Sequence, residues 1–255
     1  MLIAVDIGNT NIVLGFIEDE QVAATYRITT KSNHTSDEFG IMMLQFLQLK
    51  GFAPRDVHDV IITSVVPKVM HSFTAAIVKF LGITPMVVGP GIRTGMNIHI
   101  DDPRSLGADC LADCAGAYAT YGGRTLVIDM GTATTYNYVD EHATITCGLI
   151  TTGIRTAAEA LTSMTAQLPE VEIVRPKSIL ATNTRTAMQA GLYYTFLGGI
   201  ERTIRQFREE IGEPFKVVTT GGLGRIFKDD TDEIDVYDPD LIFKGMALIY
   251  KRNVR

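Results

Sequence analysis

Two segments of this 255-residue chain place an aspartate, a glycine and short polar side chains in the same order. Residues 4–16 and 127–139 each contain an apolar stretch that ends in Asp-x-Gly, then hydroxyl or amide residues, then a second alternating stretch. Glycine lets the backbone approach an anion closely, and a carboxylate at a strand end can hold a cation or its water shell. Each segment therefore predicts a β-hairpin whose tip binds phosphate, and the repeat predicts two similar lobes that face one nucleotide.

The polar residues of these hairpins also allow a purely structural interpretation. Asp6 and Asp129 could simply form turns, and the hydroxyl and amide groups that follow them could belong to strand edges. The repeat favours the functional interpretation of both aspartates. Clustering beside Asp-x-Gly favours a role in hydrogen-bond donation to phosphate for the short polar residues. These are Thr10, Asn11, Thr132 and Thr134.

A third glycine-containing loop follows the apolar stretch at residues 215–219. Its sequence, Thr219-Thr220-Gly221-Gly222-Leu223, is shared by many strand-to-helix connections and is a weak signal alone. Together with the two hairpins, it predicts a binding site for the sugar and base of a nucleotide.

A further candidate, Asp109, lies in the first turn of a helix predicted over residues 105–121. The residues alone favour a structural role, because a carboxylate there stabilises the helix N-terminus by about 0.3–1 kcal/mol. The functional alternative is a general base that accepts a proton from a substrate hydroxyl.

Composition narrows the class of protein. A net charge of −6 argues against general nucleic-acid binding, and 46% hydrophobic with 20% charged residues is ordinary for a globular enzyme. No apolar stretch reaches membrane-spanning length and no secretory signal begins the chain, so the expected location is the cytoplasm. The cysteines at 110 and 114 share one helix face and are expected to pack there. A P-loop motif is absent, so any ATP is bound in another way.

Strand and helix patterns alternate along the chain and predict an α/β protein. Paired strands are expected at 2–6 and 12–17, a third at 21–28, and a doubly buried strand at 60–66. In the second half we expect helices at 154–167, 184–192 and 195–211, and a last helix from about residue 240. The lobes are expected to be residues 1–115 and 116–255.

The hairpins and the Thr-Gly-Gly loop resemble the actin-like ATPase superfamily of sugar kinases, heat-shock ATPases and acetate kinases. Within it, the chain resembles the type III pantothenate kinase family from end to end. The motifs that carry the resemblance are Asp6-Ile7-Gly8-Asn9-Thr10-Asn11, Ser64-Val65-Val66-Pro67, Gly89-Pro90-Gly91-Ile92-Arg93-Thr94-Gly95, Gly107-Ala108-Asp109, Asp129-Met130-Gly131-Thr132-Ala133-Thr134-Thr135 and Asp238-Pro239-Asp240-Leu241. The resemblance implies two actin-like (ribonuclease H-like) lobes, each a mixed sheet flanked by helices, with the active site in the cleft between them.

The resemblance also implies an activity: ATP-dependent phosphorylation of pantothenate by a cytoplasmic homodimer, the first step of coenzyme A biosynthesis. Asp6 would hold Mg²⁺ with ATP, Asp129 would help to bind a monovalent cation (K⁺ or NH₄⁺), and Asp109 would be the catalytic base. ATP is expected at Asp6, Ile7, Gly8, Asn9, Thr10, Asn11, Ile12, Val13, Thr132, Gly221 and Gly222. Pantothenate is expected at Ile100, Gly107, Ala108, Asp109, Cys110 and Thr184, the last from this subunit or its partner.

The chain departs from the family pattern on the acceptor side. Cys110 stands where the family has arginine, Ile100 where it has tyrosine, and Thr152 where it has proline. These departures leave two alternatives open. One is a divergent nucleotide-binding paralogue, with a regulatory role like that of the related Bvg accessory factors. The other is a small kinase for a different hydroxylated acid or amide.

Overall fold

A computed structural model describes residues 1–254 of the chain. It contains two compact units, one formed by Met1–Thr120 with the C-terminal residues from Asp240, the other by Tyr121–Pro239. In chain order the elements are β1 (Leu2–Ile7), β2 (Asn11–Glu18), β3 (Gln21–Thr29), α1 (Ser36–Leu49), β4 (Asp59–Ser64), α2 (Pro67–Leu81), β5 (Met86–Val87), β6 (Asn97–Ile98), α3 (Ala108–Tyr121), β7 (Thr125–Met130), β8 (Ala133–Val139), β9 (Thr144–Thr152), α4 (Ile154–Ser163), α5 (Thr184–Ile211), β10 (Lys216–Thr220), α6 (Arg225–Lys228), β11 (Val236–Tyr237) and α7 (Leu241–Asn253), with short 3-10 turns at Pro54–Asp56 and Pro103–Ser105.

The first unit is built on a mixed sheet with the strand order β3-β2-β1-β4-β5. β1 pairs antiparallel with β2 and parallel with β4, so the predicted hairpin forms and a crossover brings β4 to its other side. Alternate residues of β4 enter two different cores: Val60 and Ile62 pack in the core that includes Phe39 of α1, and Ile61 packs with Phe243 of α7. The predicted burial of this strand on both faces is confirmed.

Helices α3 and α7 of the first unit approach each other at two glycines. A Cβ atom built on Gly245 would lie 1.8 Å from the carbonyl oxygen of Ala112, and one built on Gly116 would lie 2.5 Å from that of Leu241. Only glycine fits at such distances, because van der Waals contact needs about 3.4 Å or more. This crossing fixes the helix that carries Asp109.

The second unit repeats the arrangement with a mixed sheet in which β11, β10, β7, β8 and β9 follow in that order. β7 pairs antiparallel with β8, which gives the second predicted hairpin, and parallel with β10. Tyr193, Ile200 and Ile204 of α5 are buried and pack with Leu126 and Ile128 of β7. The fold class expected from the sequence, α/β with two mixed sheets flanked by helices, is confirmed.

Two features differ from the sequence expectation. The helices expected at 184–192 and 195–211 are one continuous helix, α5, because buried side chains continue through the expected break, where Leu192 and Tyr193 pack in the core. The last helix, placed in the lobe 116–255 by the sequence, lies in the first unit, since its apolar side chains pack on that unit's sheet. No helix within residues 1–254 is long and apolar enough to cross a membrane.

Candidate active site

The first hairpin tip is held by hydrogen bonds to the protein behind it. The Gly8 N–H donates to the Asn11 carbonyl at 3.0 Å, which closes the turn. Thr30, beyond the end of β3, donates its hydroxyl to the Gly8 carbonyl at 2.7 Å and its N–H to the Thr10 carbonyl at 2.9 Å. The side chains of Asn9 and Thr10 are exposed at this tip. The turn is therefore fixed from behind while its short polar side chains stay accessible.

Asp6 lies one residue before the end of β1 and is half-buried. The buried hydroxyl of Thr63, on the neighbouring strand β4, donates to Asp6 Oδ1 at 3.0 Å. The bond holds the carboxylate at the strand end, and hydrogen bonds to a charged acceptor contribute about 1.5–3 kcal/mol.

The second hairpin has the same design. The Gly131 N–H donates to the Ala133 carbonyl at 3.0 Å, and the Thr132 carbonyl accepts from the Gly153 N–H at 3.0 Å and from the Thr156 hydroxyl at 2.7 Å. A Cβ atom on Gly153 would lie 2.2 Å from the Gly131 carbonyl oxygen, so only glycine permits this contact. The start of α4 thus braces the tip from behind.

The third glycine loop lies beside Asp129. Thr220 is in register with Asp129 across the parallel pair of β10 and β7. Gly221 has φ +86°, and a Cβ atom there would lie 2.5 Å from Asp129 Oδ1. Asp129 also reaches the hairpin tip, since its Oδ2 lies 3.5 Å from the Cβ position of Gly131. The structure therefore brings the second hairpin and the Thr-Gly-Gly loop together around one carboxylate.

Tyr237 of β11 contacts this loop at both of its ends. Its hydroxyl donates to the Gly221 carbonyl at 3.2 Å, and its ring lies 2.9 Å from the Cβ position of Gly224. The short strand thereby fixes both ends of the turn.

Asp109 occupies the first turn of α3, where its Oδ1 accepts from the Cys110 N–H at 2.8 Å. The same oxygen lies 2.2 Å from the Cβ position of Gly107, so a side chain at 107 would displace the carboxylate. The helix-terminal position expected from the residues alone is confirmed. Its role as a base stays a prediction.

The remaining predicted site residues fall into two groups, one in each unit. In the first unit, Ile7 and Ile12 are fully buried and could face a ligand only through their backbone, whereas Val13 and Ile100 are half-buried. In the second unit, Thr184 is exposed as the first residue of α5, which Asn183 caps. Ile7, Ile12 and Val13 belong to the strands of the first hairpin, and Ile100 lies in the loop after β6. Their roles in binding stay predictions.

Sequence reasoning missed four residues that support the site: Thr63, Thr156, Tyr237 and, as a bracing residue, Gly153. A signal existed for Thr63, the polar interruption of an apolar stretch, and for Gly153, the last glycine before a helix. Thr156 and Tyr237 carry no local signal, because they act on parts of the chain far away in the sequence.

The two cysteines of α3 differ in burial, since Cys114 is buried and Cys110 is half-buried. Burial, and then the neighbouring Asp113, raise the pKa of the Cys114 thiol well above its usual value, and its side chain is fully buried. Such a thiol is an inert packing group, as expected. No group of three or more His, Cys, Asp or Glu residues within residues 1–254 could hold a metal ion by itself.

Comparison with solved structures concerns the fold of the chain. The chain is similar to a structure from Campylobacter jejuni described as a Baf family transcriptional activator (20% identity, TM-score 0.61, 98% of both chains). It is also similar to one from Sinorhizobium meliloti described as a 2-dehydro-3-deoxygalactonokinase (15% identity, TM-score 0.59, 98% of this chain and 96% of that one). At these identities the likeness concerns the fold alone.

Sequence comparison is more specific. The family model of type III pantothenate kinase matches residues 2–206. A type III pantothenate kinase from Bifidobacterium longum subsp. infantis is 71% identical over the full length of both chains. Another from Agathobacter rectalis is 46% identical over all of this chain and 98% of its own length. The chain belongs to the type III pantothenate kinase family.

Proposed function

We propose that this chain transfers the γ-phosphoryl group of ATP to pantothenate, the first step of coenzyme A biosynthesis. The observation that carries the proposal is the 71% full-length identity to a type III pantothenate kinase, together with two braced Asp-x-Gly hairpins. Phosphoryl transfer depends on alignment and charge neutralisation more than on covalent catalysis. The site offers backbone turns, hydroxyls and carboxylates suited to both tasks.

On the donor side, the first hairpin and Thr132 bind the phosphates, and Gly221 and Gly222 receive the nucleoside. Asp6 holds Mg²⁺, which neutralises phosphate charge when bound. The residues fit this ion, because Mg²⁺ in such sites uses one or two carboxylates and takes its other ligands from water and phosphate. A single carboxylate fixed by Thr63 meets that requirement.

Asp129 binds the monovalent cation in this proposal. Its two carboxylate oxygens lie beside the backbone of Gly221 and Gly131. Hard cations prefer oxygen ligands, and the carboxylate supplies two of them. A cation there would add positive charge next to the hairpin that binds phosphate.

On the acceptor side, Asp109 accepts the proton of the pantothenate hydroxyl as its oxygen attacks the γ-phosphorus and ADP leaves. Gly107, Ala108, Cys110, Ile100 and Thr184 contact the acceptor. The carboxylate is half-buried at a helix start and oriented by the Cys110 N–H. Cys110 and Ile100 give the acceptor region no fixed charge of their own.

We further propose that the protein is a homodimer in the cytoplasm, where ATP is supplied. Several large apolar side chains of the second unit are exposed, including Ile150 (80%), Met164 (84%) and Leu180 (83%). Burial against a second copy would remove this apolar surface from water.

A coupled assay with ATP, Mg²⁺, K⁺ and pantothenate tests the proposal. We expect turnover that requires pantothenate, and Asp109→Asn should lower kcat by about 10²–10⁴ while the KM for ATP changes little. Thermal unfolding of the variant controls for structure. Absence of turnover by the wild-type chain at millimolar substrate would refute the kinase and favour a nucleotide-binding regulator.

A further inference from the structure

The strand register of the first unit places an arginine in line with Asp6. Asp6 of β1 lies opposite Val13 of β2, and Val13 lies opposite Arg27 of β3. Directly opposed residues of antiparallel strands project their side chains from the same face of a sheet. Arg27 therefore lies on the face that carries Asp6, and two strand spacings leave about 10 Å between their Cα atoms.

Packing on both faces of the sheet agrees with this orientation. The neighbours of Arg27 in β3, Tyr26 and Ile28, pack against the core covered by α1 and α2. Val13 packs on the opposite face, against the core that includes Phe243 of α7. Because successive side chains of a strand alternate between faces, Arg27 shares the face of Val13. It is exposed there, so the packing of α7 does not cover it.

Two further polar residues lie on this face beside the hairpin turn. Asn11 and Thr29 are paired with each other, and each is two residues away from a member of the Val13–Arg27 pair. They therefore project from the same face as Arg27. The face thus presents an amide, a hydroxyl and a guanidinium group near the Asp6 carboxylate, and all three groups donate hydrogen bonds.

Arg27 and Asp6 have opposite charges but do not pair with each other. Within residues 1–254, the Arg27 side chain forms no hydrogen bond or ion pair, and the half-buried Val13 lies between it and Asp6. A guanidinium group matches phosphate oxygens with two parallel hydrogen bonds. The interval between the two side chains therefore suits a phosphate group that is bound to Arg27 on one side and faces a cation at Asp6 on the other.

We propose that Arg27 binds a phosphate group of ATP from the β3 side of the first hairpin. This rests on the proposed function, in which Asp6 holds Mg²⁺ and the hairpin tip binds phosphate. The charges then alternate in sign along the row: the Asp6 carboxylate, Mg²⁺, phosphate and the Arg27 guanidinium. Arg27 adds a fixed positive charge to a donor side whose other proposed phosphate contacts are neutral donors and Mg²⁺.

The test measures binding of ATP with Mg²⁺ by calorimetry in the full-length wild-type chain, Arg27→Gln and Arg27→Lys. We expect Arg27→Gln to raise the Kd by about tenfold to a hundredfold, the range for a lost hydrogen bond to a charged group. Arg27→Lys keeps a charge but not the planar fork, so its Kd should lie between those two. The wild-type Kd should also rise more steeply with salt than that of Arg27→Gln, since the variant lacks one contact between charges. A purely structural role of Arg27 would leave the salt dependence unchanged.

Arg55→Gln is the matched control. Arg55 is also exposed and belongs to the same unit, but it precedes the start of β4, whereas Asp6 lies near the end of the parallel strand β1. The control removes the same charge and should keep the wild-type Kd. Because both arginines are exposed, both glutamine variants should keep the wild-type melting temperature.

Three results would overturn the proposal. They are a wild-type Kd in Arg27→Gln, an equal rise of the Kd in Arg55→Gln, or a raised KM for pantothenate with ATP binding unchanged, which would assign Arg27 to the acceptor instead. Because the measurement is binding, it decides the role of Arg27 even if the wild-type chain does not phosphorylate pantothenate, the result that refutes the proposed function. A wild-type chain that binds no ATP would refute both.

Discussion

Gly153→Ala tests how the second hairpin is held. The new Cβ atom would lie 2.2 Å from the Gly131 carbonyl oxygen and 2.5 Å from that of Thr132. Since contact begins near 3.4 Å, the tip or the start of α4 must move by about 1 Å. Both clashing atoms are backbone, so no side chain can rotate to relieve the strain.

Two magnitudes follow from this displacement. Overpacking of this kind destabilises a fold by about 1–3 kcal/mol. Because a misplacement of about 1 Å can cost about 10²-fold in rate, and Thr132 is a proposed phosphate contact, we expect kcat/KM for ATP to fall by about 10–10²-fold. The KM for pantothenate should change much less, because the acceptor residues of α3 belong to the other unit.

Steady-state kinetics and thermal unfolding of Gly153→Ala would be compared with Gly191→Ala. Gly191 lies in α5, and a Cβ atom there meets nothing within 4 Å. That control should gain about 0.5–1 kcal/mol of stability, as alanine does in a helix. Wild-type stability and wild-type ATP kinetics in Gly153→Ala would refute the bracing of the tip by α4.

Three further predictions address other parts of the structure. Gly245→Ala should lower the melting temperature by more than any other alanine variant described above, because its Cβ atom would lie 1.8 Å from the Ala112 carbonyl oxygen. A loss of 1 kcal/mol lowers the melting temperature by roughly 2 °C. A smaller shift than that would contradict the close crossing of α3 and α7. Thr63→Val keeps the shape but removes the donor to Asp6, so we expect about 1.5–3 kcal/mol less stability and a higher Mg²⁺ requirement, checked by urea unfolding and Mg²⁺ titration of turnover. Burial raises the pKa of Tyr136 to about 12, so the folded state keeps this proton to a higher pH than the unfolded state does. The free energy of unfolding should therefore fall as pH rises from about 10 to about 12. Urea unfolding should show a smaller fall for Tyr136→Phe, and the same pH dependence in both proteins would refute the burial argument.

The hairpins and their strands could be predicted because each uses a local pattern. Alternation or continuous apolar runs specify strands, and Asp-x-Gly specifies the turn. The near-continuous apolar run at 60–66 likewise predicted a strand covered on both faces, and β4 is buried by two cores. Where hydrophobic period and turn chemistry agree, sequence alone indicates which residues reach the strand ends.

The remaining features depend on contacts that no local pattern reports. The sequence pattern divided α5 at residues 193–194, but the buried residues before and after that point hold one helix. The last helix belongs to the first unit because Phe243 and Met246 complete a core there, more than 200 residues after its first strand. Thr156 and Tyr237 likewise act on distant backbone, which only the folded chain brings within reach.

The two hairpins share a feature that would allow a tip with a nearby carboxylate to bind phosphate, as we propose. In each hairpin, carbonyl oxygens of the tip accept hydrogen bonds from a threonine hydroxyl and from a backbone N–H later in the chain. Thr30 supplies both donors in the first hairpin. Thr156 supplies the hydroxyl and Gly153 the N–H in the second. Carbonyl oxygens are the backbone groups that repel phosphate, because they carry the negative end of the peptide dipole. Bonds from behind direct that negative end toward the protein, and the side chains of Thr10 and Thr132 stay exposed at the two tips. The repeated sequence motif is therefore accompanied by a repeated orientation of the tip carbonyl groups. Residues outside the Asp-x-Gly motif impose this orientation in both hairpins.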